Sequence, residues 1–562
     1  MAEAARAVAL AEPPGAAPWR PSNRLLARAA LLTAALTAAG AVLGLVRDQL
    51  LAHTFGAGTD TDAFLVAWTV PEFAATLLIE DAMALILVPA FSSALARRQA
   101  AAGEDPVRAL VRATLPKAVL GMGVAAGLLV LAAPWLVPLL APGLPQQRLA
   151  VDCTRLTATC VLTFTLAGYC SAALRAHGRF LPPAAINVAY NTGIITAVVL
   201  LGARWGVRAA AAGVAAGGAL MVLVQAPSLW RRLRARRTVR GLGAPRSRSG
   251  GRTGGLVVAL LAPVIVFTVT RQSQVLVERF LAAPLPAGAI SHLNYAQKVA
   301  QLPMVLSLMM CTVTFPVVAR AMAAGDTHTA RRRAERDLLL AGVIVLAGAA
   351  TVVAAAPQIV ELLFQRGAFD RTDTAATAAV MRVYALGLLG HTLVSALVRC
   401  YFSASAPLWY PAVVMAAGVA VTAAAGLAWV GPWGATGIAA GNALGITLSA
   451  ALLLLGVRRQ GIPLRTGRLV RGLGRLAAAA GFATAAGWCC AAGPPLTATL
   501  LALLTVTVVF LAVACALRAP VVPSLLHSLI RLIRTASRRL AHGPSDPTPL
   551  GGDVPLDRRH PG

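Results

Sequence analysis

Apolar runs of about 20 residues recur along this chain from Leu25 to Leu517, broken by short polar, proline- or glycine-marked stretches. At 1.5 Å of rise per residue, such a run crosses a hydrocarbon core of ~30 Å. Of the 562 residues 58% are hydrophobic and 13% are charged, and the mean hydropathy is +0.72. Soluble domains carry a charged fraction of about 25%. The pattern therefore predicts an all-α polytopic membrane protein. Reading the runs against Pro, Gly and Arg punctuation gives fourteen spans, near 25–46, 61–91, 114–141, 154–174, 180–202, 206–230, 256–281, 291–319, 338–357, 375–398, 407–430, 434–457, 469–491 and 496–517. The first run has no small-residue cleavage site before the next loop, so it reads as a retained span rather than a signal peptide.

The connections test this count. Alternate loops hold 38 of the 50 basic residues, and the loops between them hold only Arg47, Arg148, Arg204, Arg208, Arg366 and Arg371. A cytoplasmic excess of Lys and Arg sets membrane orientation. Both termini are expected in the cytoplasm, because a missed span would have inverted half of the alternation.

The chain also repeats itself. Val46-Arg47-Asp48 leading to Gly56-Ala57-Gly58 is echoed by Val277-Glu278-Arg279 leading to Pro286-Ala287-Gly288. Ala63 to Pro71 matches Tyr295 to Pro303, Ala132 to Val137 matches Ala355 to Val360, and Gly213 to Leu220 matches Gly437 to Leu444. Four matches in one order at one near-constant offset are hard to obtain by chance. The expected organisation is a cytoplasmic segment 1–24, an N-lobe 25–230 of six spans, a basic linker 231–255 and a C-lobe 256–457 of six spans. Two further spans follow within 458–518, then a cytoplasmic tail 519–562, partly disordered. Six spans is an even number, so the lobes are parallel repeats about an axis along the membrane normal. A substrate site between the lobes suits that design.

A net charge of +29 raises the possibility of nucleic-acid binding. The nine arginines of 231–252 lack interleaved aromatic residues and a surrounding binding fold, so anionic membrane lipids are the expected partners and nucleic acid is not. The eight cysteines fall almost entirely in apolar runs without Cys-x-x-Cys or His companions, and read as packing residues. There is no Walker A, Rossmann or hydrolase signature, and no cofactor, metal site or enzymatic activity is expected.

Charges inside the apolar runs carry the functional signal. Arg47, Asp48, Glu80, Asp81, Arg271, Glu278, Arg279 and Lys298 lie in or against spans 1, 2, 7 and 8. An ionisable group at bilayer depth costs at least a few kcal/mol and normally faces a polar cavity. Arg28, Arg155 and Arg382 sit near span ends, where snorkelling accounts for them. Asn294, Lys298 and Gln301 share one helical face at i, i+4, i+7, and Arg271, Gln274 and Glu278 share another at i, i+3, i+7. Two such stripes predict a water-filled cationic cavity for an anionic substrate, lined by the first two helices of each lobe. Arginine forks suit phosphate bidentately and lysine acts as a point charge. Internal pairing, Arg47 with Asp48 or Glu80 and Arg279 with Glu278, is the competing explanation. Pro71, Pro89, Pro303 and Pro316 mark bend points in spans 2 and 8.

At residues 42–67 (VLGLVRDQLLAHTFGAGTDTDAFLVA), 277–303 (VERFLAAPLPAGAISHLNYAQKVAQLP) and 315–320 (FPVVAR), the chain resembles the MurJ/MviN family of lipid II flippases, within the multidrug/oligosaccharidyl-lipid/polysaccharide exporter superfamily. The resemblance covers roughly 25–517. It implies fourteen helices in two lobes, alternating access, and a lipid-linked anionic cargo, an undecaprenyl-pyrophosphate glycan, moved to the outer leaflet of the bacterial plasma membrane. Movement would depend on membrane potential or ions rather than ATP, and a groove of the last two helices would hold the lipid tail. By position, Arg47 matches a family arginine, Asp48 and Asp62 match neighbouring acids, and Lys298 replaces an arginine. A basic pair after the span 2 proline is Ala75 and Thr76 here, a further span 1 arginine is Ala41, and a small residue after Glu80 is Asp81. On this reading Arg47, Arg271, Arg279 and Lys298 would bind the diphosphate. Asp48, Asp62, Glu80, Asp81 and Glu278 would tune or release it, with Gln274, Asn294 and Gln301 as polar lining. Two competing functions remain open: export of another lipid-linked glycan or amphiphilic metabolite, and a scaffold recruiting cell-wall synthesis proteins through the basic linker and tail.

Overall fold

The computed structural model describes residues 23–100, 105–234, 253–309, 326–402, 409–459 and 464–523, and nearly all of them are helical. Most of the expected N-terminal segment, most of the basic linker, Pro316 and most of the tail lie outside the described residues, as do the side chains of Glu80 and Asp81. The first half comprises α1 (Asn23–Phe55), α2 (Thr59–Ala75), a π-helical turn (Thr76–Asp81), α3 (Ala82–Ala100), α4 (Pro106–Leu140), α5 (Gln147–Ala158), α6 (Cys160–Ala176), the single turn α7 (Leu181–Ala184), α8 (Ile186–Trp205) and α9 (Arg208–Arg234). The second half comprises α10 (Thr253–Ala282), α11 (Ala289–Ala300), α12 (Thr327–Ala354), α13 (Ala356–Phe364), α14 (Arg371–Phe402) and α15 (Tyr410–Arg459). The final pair is α16 (Thr466–Cys490) and α17 (Pro495–Ala516). Among the described residues, ten helices are long and apolar enough to cross a membrane, which makes this a polytopic helical membrane protein.

Local chemistry explains the boundaries. Asp105 accepts the Val107 N–H at 3.1 Å with Pro106 at the first helical position, and Asp326 accepts the Thr329 N–H at 3.0 Å. Such caps satisfy N–H groups that have no partner within the helix. The Thr329 N–H also holds the exposed Asp326 carboxyl below its usual pKa. Downstream of Pro71, the chain widens into π turns over Thr76–Asp81 before α3 resumes the α-helix. π turns of this kind are rare and appear mostly as single bulges within α-helices, frequently at functional sites.

Packing between helices rests on small residues. A Cβ on Gly217 would sit 2.6 Å from the Tyr190 carbonyl oxygen, and one on Gly213 2.8 Å from the Ile194 Cα, so α8 and α9 touch backbone to backbone. Within α15, Gly441 stands in the same relation to Thr422 and Gly426. Lipid supplies no hydrophobic drive between helices, so close approach at small residues does that job. A glycine turn of the same conformation precedes each repeated Gly-Val/Ile-Ala-Ala element, at Gly206 (φ 57°, ψ −142°) before Gly213 and at Gly434 (φ 55°, ψ −134°) before Gly437. The cysteines divide: Cys153, Cys160 and Cys170 are buried, whereas Cys489 is exposed.

Helices pack mostly within their own half, α8 on α9 and α1, and α10 on α15. The principal contacts across the halves join α11 and α10 to α2 and its π turn, α10 to α4, and α13 to α1. At one end of the bundle they include backbone contacts among three loops. The Ala368 N–H donates to the His53 carbonyl at 2.9 Å. A Cβ on Gly56 would fall 2.6 Å from the Ala368 oxygen, and one on Gly288 2.5 Å from the Ala57 oxygen. Gly56, Gly288 and Gly367 all have positive φ, so only glycine fits this seal without strain.

Candidate functional site

Beyond the seal lies a cavity of about 510 Å³ between the halves. Thr37, Gly40, Ala41 and Arg47 of α1 line it, with Trp68, Glu72 and Ala75 of α2, Thr76 and Ile79 of the π turn, Asn187, Tyr190 and Asn191 of α8, and Lys298 of α11. Arg47 is held on three sides. Its Nε and Nη2 donate to Asp48 Oδ1 at 3.0 and 2.8 Å, and its Nη1 donates to Asn191 Oδ1 at 2.8 Å. Asn191 is itself fixed by donating to the carbonyls of Gly40 and Asn187 at 3.0 and 2.9 Å. Lys298 reaches across from the second half, its Nζ 3.3 Å from the same Asp48 oxygen. Both cations lie over one ring: the Arg47 guanidinium carbon is 4.6 Å and Lys298 Nζ 5.4 Å from the Trp68 centroid.

The result is a cation pair sharing one carboxylate. The Arg47 and Asp48 side chains are about nine-tenths buried, and that of Lys298 is 32% exposed. Charge-assisted bonds of this kind are roughly twice as strong as neutral ones. Lys298 is the more exposed of the two cations, so an anion entering the cavity would meet it first and would compete with Asp48 for both. Chemically, the arrangement can bind an anion and release it by returning the cations to Asp48.

The remaining predicted residues separate from this cluster. Glu278 accepts from Tyr384 Oη at 2.7 Å and from the Asn442 amide, Gln274 donates to Thr422 at 3.4 Å, and Arg271 donates to Ser395 at 3.1 Å. None of these three residues lies in the wall of the cavity around Arg47. The stripe packs against α14 and α15, whose polar groups supply its partners. Arg279 bonds the Ile290 carbonyl and Asn294 Oδ1, both at 3.2 Å. No Arg279–Glu278 pair forms among the described residues, whereas the Arg47–Asp48 pair does. Asp62 accepts from the Gly288 and Ser291 N–H groups at 2.8 and 2.7 Å and from Ser291 Oγ at 2.6 Å. It caps α11 from the other half, where unpaired N–H groups and the helix dipole favour an anion. Gln301 closes α11 as its C-cap.

Three residues of the site escaped the sequence reading. Glu72 follows Pro71 inside an apolar run and carried the same signal as Glu80. Trp68 looked like one more apolar side chain, and Asn191, with Asn187 one turn before it, carries no charge to mark it in span 5. Only the fold brings them beside Arg47.

This cavity between two packed halves of a polytopic helical bundle is the architecture of a membrane transporter. A solved structure described as an inward-facing multidrug resistance MATE family transporter of the MOP superfamily matches with a TM-score of 0.61 at 16% identity, covering 77% of this chain and 98% of that one. One described as Lipid II flippase MurJ, inward closed conformation, matches with a TM-score of 0.68 at 18% identity, covering 86% and 98%. Residues 51–491 match the family described as Lipid II flippase MurJ, and the chain belongs to that family. It is a family of transporters, not enzymes. Lipid II flippase MurJ of Burkholderia cenocepacia is 28% identical over 451 residues, 78% of this chain and 84% of the relative. The probable lipid II flippase MurJ of Vibrio cholerae is 28% identical over 492 residues, 83% and 89%. With relatives of this kind and ten apolar helices of spanning length, it is a multi-pass protein of the bacterial inner membrane.

Proposed function

We propose that this protein flips lipid II, the polyprenyl-diphosphate-linked peptidoglycan precursor, from the cytoplasmic to the outer leaflet by alternating access. The fold would comprise fourteen spans in two parallel six-span lobes plus two C-terminal spans, with both termini cytoplasmic. The matching turns at Gly206 and Gly434 support the repeat, and the basic loops support the orientation. Family membership supports the cargo. The observation that carries the mechanism is the Arg47–Asp48–Lys298 cluster, in which a cation from each half meets on one carboxylate. A diphosphate displacing Asp48 would tie the halves together through itself, and its departure would restore the internal pairing.

A second cargo reading has its own support. Ala41, Ala75 and Thr76, the positions where the resemblance implies basic residues in relatives, all line the cavity. The cavity therefore offers fewer cations, which suits a less highly charged lipid-linked glycan. Complementation decides between them. The protein should sustain growth when a bacterium's sole lipid II flippase is depleted. Failure to do so, at normal membrane abundance, would overturn the lipid II assignment and favour the second cargo.

A further inference from the structure

A second concave site lies at the end of the bundle away from the seal. A crevice of about 540 Å³ is lined by Thr33 of α1, Arg179 and Phe180 of the loop after α6, and Ser228, Arg231 and Arg232 at the end of α9, with no acidic residue in its wall. Arginines beside membrane spans are ordinarily topology signals. Neighbours at that end behave as such and are engaged by protein: Arg98 and Arg108 hold Asp105 at 2.7 and 3.8 Å, and Arg475 donates to the Arg518 carbonyl at 2.9 Å. Arg179, Arg231 and Arg232 differ in converging on one hollow, where no hydrogen bond or ion pair engages their guanidinium groups among the described residues. Beside them, Phe180 is 54% and Trp230 58% exposed. Aromatic rings at this level sit at the interface between acyl chains and headgroups.

We propose that this crevice binds the phosphate headgroup of an anionic phospholipid of the surrounding leaflet. Three forked donors and no competing carboxylate match a phosphodiester anion, and the exposed rings match the top of its acyl chains. The headgroup would bridge three elements that otherwise meet loosely there: the start of α1, the loop before α7 and the end of α9. Thr33 lies one turn before Thr37, whose hydroxyl donates to the Thr33 carbonyl at 2.9 Å and which lines the central cavity. The bound lipid therefore steadies the cavity's mouth on the first-half side. This holds whatever the cargo.

Native mass spectrometry of the purified full-length protein tests the site, with phosphatidylglycerol and phosphatidylcholine as probes. The wild type should retain phosphatidylglycerol over phosphatidylcholine about tenfold or more, since each basic residue near a membrane surface adds a comparable attraction. The triple variant Arg179→Gln, Arg231→Gln, Arg232→Gln should lose that preference. A control neutralising the exposed Arg332, Arg336 and Arg468 to Gln should keep it. Equal loss in both variants, or none in the first, overturns the proposal. If the triple variant does not fold, Arg179→Gln and Arg231→Gln singly must each weaken phosphatidylglycerol retention, and unchanged retention in both counts equally against the site.

Discussion

At the scale of single residues, Asp48 is the hinge of the site because it is, among the described residues, the one carboxylate that Arg47 and Lys298 share. Replacing Arg47 with Ala leaves Asp48 its Lys298 partner, so the fold should survive while transport is lost. Membrane abundance near wild type with growth support abolished is the expected outcome, and full support would overturn the assignment of Arg47 to cargo. Replacing Asp48 with Ala strands the buried Arg47 and the partly exposed Lys298 instead; breaking a fully buried pair from one side costs about 3–5 kcal/mol, and the exposure of Lys298 lowers that figure here. Asp48→Ala should therefore lower thermal stability in detergent more than Arg47→Ala does. The reverse order would mean that Asp48 does not neutralise the pair. The sequence made Arg47, Asp48 and Lys298 visible, because charges in apolar runs stand out. It could not separate them from Arg271, Arg279 and Glu278, which stand out equally. The difference lies in their partners: Ser395, Tyr384 and Asn442 far away along the chain, and Ile290 and Asn294 on the next helix. Asp62 shows the same limit: a charge at depth announces that it is satisfied by something, and here that something is a helix terminus.

At the scale of elements, the apolar periodicity read well and the irregular segments did not. Length and hydropathy locate helices because lipid demands internally satisfied backbones. The π turn at Thr76–Asp81, the division of α5 from α6, and the short α7 depend on packing and proline chemistry that composition does not encode. The Gly213-to-Leu220 element is legible in the sequence as a repeat, and the surface it packs against is not. That surface is α8, which carries Tyr190 and Asn191 on the cavity wall. Gly217→Val would push branched methyls into the Tyr190 backbone. Overpacking of this sort typically costs 1–3 kcal/mol, so the melting temperature should fall. Because the displaced helix also positions Asn191, transport per folded molecule should fall with it. Gly121→Val, at a position with nothing within 4 Å of the added Cβ, is the matched control and should change neither. Equal effects at both sites would show that the α8–α9 contact is not the source.

At the scale of the whole molecule, the two halves are joined asymmetrically. One end is closed by backbone contacts at Gly56, Gly288 and Gly367 and by the Asp62 cap on α11. The cavity lies on the far side of this seal. If the halves rock to expose the cavity alternately, the seal must open once per cycle, and its strength sets how often. Asp62→Ala removes three hydrogen bonds between the halves without touching the cavity wall. The bonds to a charged acceptor are worth about 1.5–3 kcal/mol each, so the sealed state should lose much of its advantage. Ala75→Cys places a small thiol on the cavity wall and provides the readout in a background cleared of the native cysteines. A membrane-impermeant maleimide added from the outer face should label it slowly in the parent and at least tenfold faster with Asp62→Ala. With both termini cytoplasmic, as proposed, the seal faces outward, and the same comparison from the cytoplasmic face should show no acceleration. Equal rates from the outer face would mean that Asp62 merely caps a helix, and that the seal is held by the glycine loops alone.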